Sequence, residues 1–136
     1  MVWEHGDMRR RGLLPVLDVL ALLTFVAIGL AQHERGAVPT LFLQNAVPLV
    51  ASWFVVARLA GAYRHATLRT LLATWGLAVP VGLLLRTAWV GSPRGAAILV
   101  FLGIGLAFTL LFLLVARAAA RLLAERHAPS APDVVR

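Results

Sequence analysis

The chain has 136 residues, of which 60% are hydrophobic and 14% are charged, and its formal net charge is +7. This composition is too apolar for the polar surface of a soluble domain, so the sequence predicts an integral membrane protein. All 13 basic residues are arginine and cysteine is absent, which excludes disulfides, thiolate nucleophiles and cysteine-ligated metals.

Four apolar runs are long enough to cross a hydrocarbon core of about 30 Å as helices, which takes roughly 20 residues each. Because the connections between them are short, successive helices are expected to be antiparallel neighbours. The predicted fold is therefore an all-α membrane protein, an antiparallel four-transmembrane-helix bundle over residues 13–116, with spans at about 13–31, 39–57, 68–89 and 96–116. An N-terminal arm (1–12) precedes it, and a helical extension (117–127) and a flexible tail (128–136) follow.

The arginines are distributed unequally between the two ends of the predicted bundle. Ten flank the chain termini and the connection between spans two and three, whereas three lie at the other ends of the spans: Arg35, Arg86 and Arg94. The positive-inside rule then places both termini in the cytoplasm, in a multi-pass protein of the cell inner (cytoplasmic) membrane. The basic face is expected to contact anionic lipid headgroups and not nucleic acid.

The first span also has the general order of a secretory signal. Arg9 to Arg11 precede an apolar run that ends in Gly29, Leu30 and Ala31, small residues at the spacing of a cleavage site. The run is longer than the usual apolar region of about 7 to 15 residues, and Asp18 interrupts it. We therefore predict a permanent transmembrane helix.

Asp18 is the acidic residue that lies inside a predicted span. It is about five residues into span one, which places it roughly 8 Å below the cytoplasmic surface. Arginines at the cytoplasmic ends of the other helices have side chains long enough to reach it, and the candidates are Arg58, Arg69 and Arg117. Two roles are open for such a residue: an intramembrane ion pair that locks the bundle, and a proton or ion relay.

Polar residues also collect at the outer ends of the first three spans. This outer polar cluster comprises His33, Glu34, Gln44, Asn45 and Arg86. As a ligand site it would offer an arginine to an anion and a histidine that titrates near neutral pH. As a structural cap it would close the bundle, with His33 and Glu34 as the partners that keep Arg86 near the hydrocarbon. The sequence leaves both interpretations open.

Aromatic and small residues suggest further contacts. Aromatic residues near span ends are typical of interfacial anchors, although Trp75 lies deeper than the others, which are Trp3, Trp53, Tyr63 and Trp89. Small residues at close-packing spacing indicate helix contacts in spans three and four, at Ala78, Gly82, Gly103, Gly105 and Ala107.

Several residues together resemble an uncharacterised family of small bacterial and archaeal membrane proteins with four spans, classed as a domain of unknown function. The resemblance runs from about Leu17 to Ala116. It rests on Asp18, on "FVAIGLAQH" with Gly29 and His33, on "AVPLVASW" with Pro48, on "GAY" at Gly61 to Tyr63, and on "LLLRTAWVG" around Arg86. It implies the four-helix architecture and brings no activity, cofactor or substrate with it.

No motif for catalysis stands out in the sequence. There is no glycine-rich phosphate loop, no pair of histidines at i, i+4 for a metal, and no serine, histidine and acid in a recognisable pattern. We therefore predict a non-enzymatic protein with no metal and no cofactor.

Two functions fit this prediction. The first is an accessory or assembly subunit of a larger membrane complex, in contact with other membrane subunits or with copies of itself. The alternative is a homo-oligomeric carrier or channel for a small anion or proton that uses the outer polar cluster, because four spans usually need a dimer to form a pathway.

Overall fold

The computed structural model describes residues 4–32 and 39–126, with side-chain environments for 12–32, 39–123, 125 and 126. Four helices make up almost all of this part: α1 (Glu4–Gln32), α2 (Pro39–Leu59), α3 (Leu68–Val90) and α4 (Ala97–Arg126). Each contains a stretch long and apolar enough to cross a membrane, namely Gly12–Gln32, Pro39–Leu59, Leu68–Val90 and Ala97–Leu123. The described residues contain no strand, and the predicted all-α, four-span fold is confirmed.

The first and last helices are longer than their predicted spans. α1 begins at Glu4, so most of the predicted arm is helical and continuous with span one. α4 continues without a break to Arg126, which joins the fourth span and the predicted extension into one helix. The predicted tail, 128–136, lies outside the described residues.

Local sequence explains where α3 begins and ends. Thr67 caps its start, since the Thr67 hydroxyl accepts from the backbone N–H of Thr70 while the Thr70 hydroxyl accepts from the N–H of Thr67. Gly91 ends the helix at φ 71°, a left-handed conformation that glycine adopts without steric cost. The connections on either side of α3 are therefore sharp, and they return the chain to the bundle.

The helices are neighbours in chain order around the bundle, and α4 closes the ring against α1. α2 and α3 make the closest pair. A Cβ at Gly82 would lie 2.8 Å from the Cα of Leu49, so glycine is what allows this approach. Ser52 fixes the same contact by donating to the Ala78 carbonyl of α3 at 2.9 Å.

The predicted small-residue contacts divide into two groups. Ala78, Gly82 and Gly105 are buried between helices, whereas Gly103 and Ala107 are exposed on the outside of α4. The fully buried side chains form a narrow core and include Trp53, Leu22, Leu49, Leu113 and Val79. Most other large apolar side chains face outward, as expected where the surrounding medium is hydrocarbon.

Two names are used below for the ends of the bundle. The terminal end is where α1 and α3 begin and where α2 and α4 end. The distal end is where α1 and α3 end and where α2 and α4 begin.

Candidate functional site

The terminal end contains an ion pair between the first helix and the last. The carboxylate of Asp18 on α1 accepts two bonds from Arg117 on α4, at 3.2 Å from Nε and 2.8 Å from Nη2. Asp18 is 0% exposed and the Arg117 side chain is 13% exposed. Two parallel bonds from a guanidinium to a carboxylate fix both the distance and the orientation of the two helices.

Of the three arginines predicted as partners of Asp18, Arg117 makes the pair. Arg58 and Arg69 are exposed, and neither has an ion pair with a carboxylate in the described part of the chain. Helix geometry explains the difference, because Arg58 and Arg69 lie at the extreme ends of α2 and α3. Arg117 lies within the long α4, at the depth of the carboxylate.

Two aromatic residues extend this pair into a polar network. The indole Nε1 of Trp53 on α2 donates to the hydroxyl of Tyr63 at 3.0 Å. Burial raises the pKa of the Tyr63 phenol, and the nearby negative charge of Asp18 raises it further. We call Asp18, Trp53, Tyr63 and Arg117 the terminal cluster; it joins α1, α2, α4 and the connection after α2.

The terminal cluster corrects the interpretation of its aromatic members as interfacial anchors. Trp53 is 0% exposed and Tyr63 is half-buried, so both are parts of the core. The sequence did contain a signal for this role. Trp53 is six residues from the end of α2 and Asp18 is six residues from the start of the first span, so antiparallel packing puts the two at one depth.

The distal end holds Arg86 in a different arrangement. Arg86 Nε donates to the Oδ1 of Asn45 at 2.7 Å, and Nη1 donates to the carbonyl of Ser92 in the connection after α3. The guanidinium carbon lies 5.1 Å from the centre of the Phe101 ring, within cation–π range. Arg86, Asn45, Ser92 and Phe101 form the distal cluster, which joins α2, α3 and α4.

The structure thus unites two of the five residues predicted for the outer polar cluster. Asn45 and Arg86 are bonded, and Asn45 is itself oriented by a bond from Nδ2 to the Leu41 carbonyl at 2.6 Å. Gln44 is half-buried, and its side chain makes no hydrogen bond in the described part of the chain. His33 and Glu34 lie outside the described residues.

Ser92 and Phe101 were missed because the sequence gives little indication of them. Ser92 contributes a backbone carbonyl, which any residue would supply at that position, and Phe101 looks like one more apolar residue of α4. Their contacts favour the structural cap over the ligand site, since the guanidinium donates to the chain's own acceptors and one face is covered by a ring.

A third group of polar side chains lies between the two clusters. Trp75 Nε1 is 3.2 Å from both the Leu106 carbonyl and the hydroxyl of Thr109, which ties α3 to α4. Thr74 differs from its neighbour, because its hydroxyl is wholly buried and has no hydrogen-bond partner. By contrast, Thr87 and Thr109 each donate to the carbonyl four residues earlier.

Acidic and imidazole side chains are too scattered in the described part of the chain to form a metal site. No group of three or more residues of these types is close enough together there to hold an ion. Both clusters instead combine one or two charged groups with neutral donors and acceptors, a composition suited to holding helices in register.

Comparison with known proteins identifies a family and no activity. A protein-family model described as "Protein of unknown function (DUF3054)" matches residues 15–120, which include all four spans and every member of both clusters. This match confirms the resemblance to a family of unknown function. No curated protein and no solved structure matches the chain. On the evidence of the family match, which covers more than half of its length, the chain belongs to the DUF3054 family.

Proposed function

We propose that this chain is a non-enzymatic membrane protein that acts as an accessory or assembly subunit of a larger membrane complex. In this role the four helices form a rigid unit whose outer surface packs against other membrane subunits. The proposal is argued from what the charged groups bind and from the surface of α4.

The observation that carries the proposal is the use of both charged clusters within the bundle. Both oxygens of Asp18 accept from Arg117, and the Arg86 guanidinium donates to Asn45 and Ser92. A carrier needs a charged group that exchanges its partner for a solute or a proton. Groups held by two or more bonds to neighbouring helices are better suited to maintaining the shape of the bundle.

The outer face of α4 supplies a surface on which a partner helix can pack. It is the least buried of the four spans, and its exposed side chains recur at spacings of three and four residues: Val100, Gly103, Ile104, Ala107, Phe108 and Leu111. A Cβ added at Gly103 would meet nothing within 4 Å. Small residues at i and i+4 with larger flanking side chains allow two membrane helices to approach closely.

The proposed location is the cytoplasmic membrane, with both termini in the cytoplasm. Support comes from the ten arginines at the terminal end against three at the distal end. Reporter domains inserted near Arg64 or fused after Arg136 are expected to report the cytoplasm, and one inserted at Ser92 the opposite side. An external reading at Arg64 would reverse the proposed orientation.

The subunit role is tested by native mass spectrometry of protein solubilised gently from its own membrane. A heterologous subunit is expected at a fixed stoichiometry in the wild type. Gly103→Leu places a bulky side chain on the outer face of α4 and is expected to abolish that association without unfolding the bundle. Gly76→Leu is the matched control, because Gly76 is exposed on α3 and a Cβ there also meets nothing within 4 Å.

Other outcomes of the same experiment contradict the proposal. A stable homodimer that gains thermal stability from a small anion as pH falls through the histidine range would favour the carrier or channel. A monomer in every preparation would argue against both functions. Equal loss of the partner in Gly103→Leu and Gly76→Leu would remove α4 as the packing surface.

A further inference from the structure

The connection between α2 and α3 concentrates positive charge at the terminal end. Residues 58–69 contain Arg58, Arg64, His65 and Arg69 and no acidic residue. The three arginines are exposed, and no carboxylate in the described part of the chain pairs with any of them. We call residues 58–69 the basic turn; its charges are available to an external anion.

The basic turn is held in place by its own inward-facing residues. Ala62 is 2% exposed and its N–H donates to the Ala57 carbonyl at 2.9 Å. Tyr63 accepts from the buried indole of Trp53, and Gly61, at φ 65°, accepts from the N–H groups of the two residues that follow Tyr63. Because the backbone is fixed from below, an anion that binds the arginines does not have to order the turn first.

The position of the basic turn relative to the membrane identifies the kind of anion. The turn joins a span that ends at Leu59 to one that begins at Leu68. Both leucines face outward, with 82% and 54% of their surface exposed, and they flank the arginines on either side. Apolar residues at this level enter the acyl boundary while adjacent arginines reach the phosphate layer, an arrangement that fits a lipid better than a soluble anion.

We propose that the basic turn is a binding site for the phosphate headgroups of anionic phospholipids. Arg58, Arg64 and Arg69 supply the charge and the guanidinium donors, and Leu59 and Leu68 contact the first part of the acyl chains. The site is independent of the proposed subunit role, since it uses a different surface from the outer face of α4.

The remaining exposed arginines provide a matched control. Arg94 lies in the connection before α4, and Arg121 and Arg126 lie on the last turns of α4 beside the acidic Glu125. The triple variant Arg94→Gln/Arg121→Gln/Arg126→Gln removes the same charge as Arg58→Gln/Arg64→Gln/Arg69→Gln. A difference between the two variants therefore reports the site and not the net charge of the protein.

The test measures lipid affinity with the full chain in a neutral detergent. Phosphatidylglycerol and phosphatidylcholine are titrated separately, and bound lipid is counted by native mass spectrometry alongside the shift in Tm. We expect saturable binding of phosphatidylglycerol to the wild type and much weaker binding of phosphatidylcholine. At about fivefold per arginine near the membrane surface, the turn variant should bind phosphatidylglycerol on the order of a hundredfold more weakly.

The control variant is expected to stay within a few-fold of the wild type, and helix content measured by circular dichroism checks that each variant is folded. If the turn variant fails to fold, Arg64→Gln alone should weaken binding about fivefold. Equal losses in the two triple variants, or equal affinity for the two lipids, would overturn the proposal. Stabilisation by inorganic phosphate equal to that by phosphatidylglycerol would also overturn it, in favour of a soluble-anion site.

Discussion

Arg117 at the terminal end and Arg86 at the distal end both hold helices together, but they donate to different acceptors. Arg117 binds the carboxylate of Asp18, which is 0% exposed, whereas Arg86 binds the amide oxygen of Asn45 and lies against a phenyl ring. A buried carboxylate is costly without its counter-charge, while an amide is neutral and already bonded to the Leu41 carbonyl. The comparison teaches that loss of the acceptor should cost more stability at the terminal end.

The largest expected effect tests that difference directly at the terminal end. Asp18→Asn leaves Arg117 largely buried without a counter-charge, and we expect the free energy of unfolding to fall by about 3 kcal/mol. Denaturant unfolding in detergent, followed by circular dichroism, measures the change. Arg58→Gln and Arg69→Gln serve as controls and are expected to have little effect, because both side chains are exposed.

The double variant Asp18→Asn/Arg117→Gln sharpens the same test. Removal of both charges leaves neither one stranded, so the double variant should be more stable than Asp18→Asn alone. If Asp18→Asn is as stable as the wild type, the ion pair does not lock the bundle.

The matching change at the distal end should cost less. Asn45→Ala removes one charge-assisted hydrogen bond from Arg86, for which we expect a loss of about 1.5 kcal/mol. The same unfolding measurement applies, and Gln44→Ala is the neighbouring control, since the Gln44 side chain makes no hydrogen bond in the described part of the chain. A loss at Asn45 equal to that of Asp18→Asn would break the comparison between the two ends.

A smaller effect of opposite sign is expected at Thr74, which belongs to neither cluster. Its buried hydroxyl has no partner, and valine has nearly the same shape without the hydroxyl. Thr74→Val should therefore stabilise the bundle by about 1 kcal/mol, whereas the same substitution at the bonded and buried Thr109 should destabilise it. A loss of stability at Thr74 would mean that the hydroxyl has a partner, such as an ordered water.

The smallest effect is a shift in the titration of Tyr63. The sequence contains one tyrosine, so the ultraviolet absorbance of the phenolate reports this residue directly. Burial and the charge of Asp18 raise the pKa of Tyr63 above its ordinary value of about 10, and Asp18→Asn should lower it towards that value. The associated stability is present below about pH 10 and is lost as the pH rises through the folded pKa. An unchanged midpoint in Asp18→Asn would separate Tyr63 from the terminal cluster.

The fold was predictable because the length and hydropathy of each span follow from the thickness of the hydrocarbon core. Helix ends were harder to place, since α4 continues to Arg126 through a sequence whose apolar character declines gradually. The split among the small residues was not predictable either. Gly103 and Gly105 are equivalent in sequence, but the rotation of α4 buries the second against Leu83 and exposes the first.

The candidate sites were predictable in part. An acid inside a span requires a partner, which identified Asp18 and limited its partner to three arginines; the choice of Arg117 depends on how far each helix extends. The bond from Arg86 to Asn45 joins two predicted residues. The Ser92 carbonyl and the Phe101 ring depend on the path of the connection before α4, which composition does not determine.

The Asp18–Arg117 pair has a consequence for biosynthesis, because its members are 99 positions apart in the chain. The first helix to leave the ribosome carries a carboxylate whose arginine is translated last. Until α4 enters the bilayer, α1 therefore holds an acidic group without its counter-charge, and the insertion machinery must shelter it. A nascent chain that stalls before Arg117 exposes this defect to membrane proteases, so the pair makes a completed chain distinguishable from an unfinished one.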